Sequence, residues 1–165
     1  MASMRTKIAS SSSSSTPGLT YVVFLSFRGK DTCNGFIDHL YAALKQKGIF
    51  TFRDDEKLER EKSISPEHLK AIKESKLAIV ILSKNYASST WCLDELTKVT
   101  GCMEETGMTI LHIFYHVDPS DVREQGGTFA KAFVEHGKEN IEKVQTWRVA
   151  LKKVANFSGW HLHEG

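Results

Sequence analysis

Trp91 and Glu95 stand four residues apart in the stretch Ser88-Ser89-Thr90-Trp91-Cys92-Leu93-Asp94-Glu95-Leu96. They bring a negative charge next to a large aromatic surface, the kind of pair that can hold a ligand. Ser89 or Thr90 is a natural N-cap, and a helix starting there places Cys92, Leu96 and Val99 on one buried face. Trp91 and Glu95 then share a neighbouring face, at the border between core and solvent. The stretch follows an apolar run, Leu77 to Leu82, closed by the turn-prone Ser83-Lys84-Asn85. The region beyond the end of a buried strand is the usual ligand position in an open α/β sheet. On spacing alone a second reading stays open, with Trp91 packing a satellite cluster and Glu95 a solvated helix charge.

The elements that must position this pair alternate along the chain. Tyr21 to Phe27 is β-branched and aromatic and ends at Arg28-Gly29, which predicts a buried strand leading into a loop. Cys33 to Gln46 carries Phe36, Leu40, Ala43 and Leu44 at helical spacing, with Gly48 placed as a C-terminal cap. Ile49 to Arg53 reads as a second strand, and Asp54 to Ser63 as a long charged loop. Pro66 opens a helix to about Ser75; Leu77 to Leu82 is the third strand, and the helix bearing Glu95 ends between Gly101 and Gly107. Thr109 to Tyr115 is a fourth strand, and Asp118-Pro119-Ser120 breaks the chain into another loop. A helix with Phe129, Ala132 and Phe133 follows Gly126-Gly127, and a last one runs from about Glu139 to Asn156. Strands alternating with helices predict a mostly parallel sheet covered on both faces.

Composition narrows the field. A chain of 165 residues is enough for one well-buried domain. A formal net charge of +2 gives no strong field for nucleic acid or a membrane surface. Cys33, Cys92 and Cys102 are odd in number and irregular in spacing, which suggests reduced thiols in a cytosolic or nuclear compartment. The seven histidines are scattered, so no metal site is signalled. Residues 1–20 are serine-rich, basic and free of acidic residues. They read as a disordered leader, with an organellar transit peptide as the competing reading. The folded part is drawn as 21–160, with 161–165 as a tail.

Several blocks in order resemble a plant-type TIR domain, the domain shared by Toll, interleukin-1 receptor and resistance proteins. They are Phe24-Leu-Ser-Phe-Arg-Gly29, Asp54-Asp55 with Leu58 and Arg60, Ala71-Ile72 with Ser75, and Tyr86-Ala87-Ser88 with Trp91-Cys-Leu-Asp-Glu-Leu96. Phe114-Tyr115, Val117-Asp-Pro-Ser120, Val122-Arg123, Trp147-Arg148 with Ala150-Leu151, and Ser158-Gly159-Trp160 complete the series. Several blocks at the right spacing are far more specific than any single motif. The resemblance implies a flavodoxin-like three-layer α/β fold, with five parallel strands and helices on both faces. Its fifth, short strand is expected between the Asp118–Arg123 loop and the last helix. The chain departs from the family pattern at Val22, Lys30, Cys33 and Glu61.

What the resemblance implies for chemistry is cleavage of NAD+ between nicotinamide and ribose, an NAD+ nucleosidase or ADP-ribosyl cyclase activity. NAD+ is the substrate there, and no resident cofactor is implied. Glu95 would be the catalytic glutamate. Phe27, Arg28 and Gly29 would contact substrate, arginine suiting phosphate and glycine permitting close backbone approach. Trp91 would offer a stacking face, and Cys92 either lines the pocket or is an inert buried thiol. Asp54 and Glu56 belong to a loop that either touches ligand or is merely solvated. The family also self-associates. Asp38 and His39 on the first long helix, and Ser158, Gly159 and Trp160 after the last, correspond to its docking surfaces. Partners implied are other TIR domains and, through the nucleotide products, lipase-like immune regulators. The competing function is a scaffold that signals through TIR–TIR contacts with Glu95 structural.

Overall fold

The computed structural model describes residues 21–32, 35–53, 64–156 and 160–162. The leader, the charged loop with Asp54, Glu56 and Glu61, and Ser158-Gly159 lie outside the described residues. Five strands, β1 (Val23–Ser26), β2 (Thr51–Phe52), β3 (Leu77–Leu82), β4 (Thr109–Tyr115) and β5 (Trp160–Leu162), form one sheet in the order β2-β1-β3-β4-β5. Every pairing is parallel. The helices are α1 (Gly29–Thr32), α2 (Phe36–Gln46), α3 (Pro66–Glu74), α4 (Thr90–Thr106), α5 (Pro119–Glu124), α6 (Gly127–Glu139) and α7 (Ile141–Ala155). A single 3-10 turn, Tyr86–Ser88, precedes α4.

Strand order decides which face each helix covers. Crossovers between parallel strands are right-handed, so a connection that steps one way along the sheet carries its helix to one face, and the opposite step carries it to the other. Only β1 to β2 steps outward in its direction, and it takes α2 with it. The connections through α3, α4 and α5–α7 all step the other way. Among the described residues one face is therefore packed by α2, through Ile37, Phe36, Leu40 and Leu44 against Val23, Leu25, Ile79 and Ile81. The opposite face carries Phe24, Ala78, Val80, Leu82 and Phe114 under α3, α4, α6 and α7, with Leu93, Leu96, Phe133, Trp147 and Leu151 completing that core. Strand β3 is central and buried on both sides, which is why its sequence is an unbroken apolar run.

Local sequence explains the element ends. Ser65 caps α3 by accepting the His68 N–H, with Pro66 in the first turn, where its missing N–H costs nothing. Gly107 ends α4 in a left-handed conformation at φ 81°. Four expectations are corrected. The first long helix begins at Phe36, after Gly35, and a separate turn, α1, follows β1. The second strand is shorter than Ile49 to Arg53. Asp118-Pro119-Ser120 is a helix start rather than a loop, with Asp118 accepting the Ser120 N–H ahead of α5. The fifth strand comes after the last helix, with Trp160 paired to Ile113 and Leu162 to Tyr115. The sheet therefore continues two residues past the boundary drawn at 160.

Candidate functional site

The N-cap of α4 is Ser89, whose hydroxyl accepts the Cys92 N–H at 3.1 Å. The helix thus set in register puts Trp91 one turn before Glu95, and the indole Nε1–H donates to Glu95 Oε2 at 2.9 Å. Ser26, the last residue of β1, donates its hydroxyl to Glu95 Oε1 at 2.9 Å. His68 on α3 brings Nε2 to 3.6 Å from Oε2, an electrostatic contact longer than a hydrogen bond. Ser26 pairs with Val80, so the carboxylate lies where β1 and β3 run side by side toward their C-terminal ends. In the order 2-1-3-4-5 that is the point where chain connectivity reverses, the crevice in which such sheets bind ligands.

Glu95 is 1% exposed and Trp91 7%. The placement at a border with solvent is therefore corrected. Burial is sustained because Ser26 and Trp91 supply the donors that water would otherwise provide. Behind Ser26, its hydroxyl oxygen stands 2.7 Å from the Tyr86 hydroxyl. Ser26 has one proton, already directed at Glu95, so in that contact Tyr86 is the donor, sharing its single proton between Ser26 Oγ and the Cys92 carbonyl. Burial pushes the Tyr86 phenol well above its usual value, and the neighbouring Cys92 and Glu95 push it the same way, so its proton stays in place. The Cys92 carbonyl lies 3.2 Å from the same hydroxyl. A polarised chain thus runs from Tyr86 through Ser26 to Glu95, inside the core.

The end of β1 supplies the rim. Phe27 is buried, and its carbonyl receives the Cys92 thiol at 3.5 Å, so Cys92 is fixed in the core below the crevice. Arg28 is half-buried, and its carbonyl accepts the Thr32 hydroxyl in the turn of α1. A Cβ at Gly29 would meet nothing within 4 Å, so open space adjoins the backbone there. Asp31 in α1 ties the two strand ends together. Its Oδ2 accepts Ser83 Oγ at 2.6 Å and the Asn85 N–H at 2.7 Å, and its Oδ1 accepts Asn85 Nδ2 at 3.1 Å. The groove lined by Arg123, Arg148 and Lys152 lies on α5 and α7 and includes none of these residues.

Glu95, Trp91, Cys92 and Phe27 are thus brought together at the end of β1, with Arg28 and Gly29 beside them. Asp38 and His39 are not among them. Both are exposed on α2, on the other face of the sheet, where Asp38 pairs with Arg53. The backbone of Trp160 lies in the edge strand β5. Sequence reasoning missed Ser26, His68, Tyr86 and Asp31 as parts of the site. Two of them left a signal: Ser26 is the one hydroxyl in the apolar run Val23 to Phe27, and His68 shares a helix face with Ala71 and Ile72. Among the described residues no group of three or more His, Cys, Asp or Glu side chains is placed to hold a metal ion.

Comparison with known proteins gives the same frame. The TIR domain family profile matches residues 20–165. The chain is 54% identical over 156 residues to disease resistance protein RPV1 of Vitis rotundifolia, covering 92% of this chain and 11% of that protein. It is 52% identical over 151 residues to TMV resistance protein N of Nicotiana glutinosa, covering 90% of this chain and 13% of that protein. This chain therefore spans between a tenth and a seventh of these relatives. A solved structure of the TIR domains of the activated Roq1 resistosome, which directly recognises the pathogen effector XopQ, superposes with a TM-score of 0.80. It is 52% identical and covers 87% of this chain and 88% of its own.

Proposed function

This chain belongs to the TIR domain family, in its plant disease resistance branch, and from that premise we propose that it cleaves NAD+ to nicotinamide and an ADP-ribose-type nucleotide when several copies are brought together. The observation that carries the reading is the Glu95 carboxylate, held at the β1/β3 crevice by Ser26 and Trp91 with His68 beside it. In the reaction the bond between ribose C1 and the nicotinamide nitrogen breaks, and its electron pair leaves with neutral nicotinamide. Water then adds to C1 and releases a proton. The leaving group needs no general acid, unlike that of an ordinary glycoside. What the transition state needs is a negative charge opposite the cationic sugar. A fixed carboxylate in a water-poor site supplies that at little reorganisation cost. Donors on both of its oxygens set the carboxylate plane before substrate arrives.

Burial sets the condition for activity. Trp91 packs against the buried Glu95, so substrate reaches the carboxylate only when the indole shifts, and the isolated domain is a closed form. Docking of neighbouring TIR domains through Asp38, His39 and the segment around Trp160 would favour the open form, making turnover rise with local concentration. Arg28, beside the open space at Gly29, suits the pyrophosphate. The nucleotide product would act on lipase-like immune regulators, in the cytoplasm and the nucleus. Free thiols at Cys92 and Cys102 fit those reducing compartments. The test is to display the domain at graded density on a scaffold with NAD+ and follow nicotinamide release. Release should rise more steeply than the number of domains, and none at any density would refute the reading.

A second reading is favoured by the same burial. A carboxylate that is 1% exposed, with donors on both oxygens, is also what a structural glutamate looks like. In that case the domain signals by docking alone, and Glu95→Gln would leave defence signalling intact.

A further inference from the structure

We propose that His68 is a positioning residue for Glu95, its Nε2–H aimed at the carboxylate; this rests on the glycohydrolase reading above. The cap of α3 holds the ring, and the acceptor opposite Nε2 sets its proton. Ser65 Oγ accepts the His68 backbone N–H at 3.2 Å and lies 3.0 Å from His68 Nδ1. A hydroxyl has one proton to give. It also has two lone pairs, so Oγ can meet Nδ1 as donor or acceptor, and the proton on Nε2 follows instead from what that nitrogen faces, Glu95 Oε2, which already accepts the Trp91 indole N–H. That nitrogen is the one 3.6 Å from Glu95 Oε2, so a shift of a few tenths of an ångström closes the contact to a hydrogen bond.

The surroundings hold the ring in this attitude. His68 is 5% exposed and meets Phe52 and Trp91 edge-on, with ring centroids 5.0 Å apart in each case and Phe24 at 6.3 Å. These are apolar walls, and Ala71 and Ile72 on the same helix face are apolar as well. Packing alone would be served by leucine at this place. The polar edge has a use because it meets Oε2, the oxygen that also receives the Trp91 indole. Ser26, Trp91 and His68 reach Glu95 from β1, α4 and α3, so the carboxylate is referred to three elements instead of swinging on its own helix. His68 touches the reaction only through Glu95, so its removal lowers kcat and leaves KM in place.

The experiment uses the clustered domain with NAD+, comparing wild type, His68→Leu and His68→Gln, alongside nitrogen-resolved imidazole spectra. Leucine keeps the packing and deletes the donor; glutamine places an amide N–H near the position of Nε2. The expected result is an about tenfold fall in kcat for His68→Leu, the loss of one charge-assisted contact, with KM within about twofold. Thermal stability should be retained and most of the rate recovered in His68→Gln. The resonance that vanishes in both variants should report the Nε2-protonated tautomer and move in Glu95→Gln. Wild-type kcat in His68→Leu, or an Nδ1-protonated ring, overturns the proposal. No turnover in the wild type, with the spectra as expected, sinks the glycohydrolase reading by itself and reduces His68 to a tether on a structural carboxylate.

Discussion

The two faces of the sheet differ in what covers them, and under the proposed function the difference would separate chemistry from association. The face that carries Ser26 lies under α3, α4, α6 and α7, with Phe24, Val80, Leu82 and Phe114 almost fully buried. The other face, among the described residues, lies under α2, and Leu111, Ile113 and Tyr115 on β4 are only half-buried there. A buried carboxylate held by fixed donors needs the first environment. The docking proposed above needs the second, where Asp38 and His39 are exposed on α2. Strand order, through the handedness of crossovers, imposes this asymmetry before any functional residue is chosen.

The largest test of the comparison is in the cores. Phe24→Ala should lower the unfolding free energy by about 3–5 kcal/mol, because it empties a fully buried site, whereas Ile113→Ala should cost roughly 1–2 kcal/mol, since that side chain is only partly buried. Urea unfolding of both variants measures the difference, and equal losses would mean the two faces are equally covered. Next comes the polar network. Ser26→Ala leaves Glu95 Oε1 without that donor and Tyr86 with only the Cys92 carbonyl as acceptor, at about 1–3 kcal/mol. It should slow nicotinamide release as well, and a variant with lower stability but full turnover would detach the network from the chemistry.

How far these features can be read from the sequence follows the range of the forces involved. β4 was legible to the residue, since its apolar run is bounded by the glycine that ends α4 and by Asp118. Asp118-Pro119 was misread because a capping aspartate followed by proline starts a turn and a helix alike. β5 has three residues at a sheet edge, too few for a periodic signal. At the site, spacing within α4 correctly paired Trp91 with Glu95, yet it put both at the solvent border. The donors that permit burial come from β1 and α3, far away in the chain, and a helix's own period says nothing of them.

A smaller effect is expected from pH. His112 is buried on the crowded face of β4, where desolvation, and then the Arg123 charge, lower its pKa from 6.5. Below 6.5 the unfolded chain takes up a proton that the native ring resists. Stability is therefore complete above that pH and declines as pH falls toward the lowered native value. Replacing His112 by glutamine should remove that part of the slope, and an unchanged pH profile would show that His112 charges equally in both states. Smallest of all is the stability effect on α2. His39→Ala should change the unfolding free energy by no more than about 0.5 kcal/mol, since the side chain is exposed. It should nevertheless raise the density at which clustered domains begin to turn over, and an unshifted threshold would place the docking surface elsewhere.

The central claim is that one buried carboxylate does the chemistry, and Glu95→Gln isolates it, because glutamine keeps the shape and loses the charge. Nicotinamide release should be measured from wild type and Glu95→Gln displayed at the same high density with NAD+. Steady release from the wild type and none above background from the variant is the predicted result. Release at the wild-type rate from the variant would contradict it.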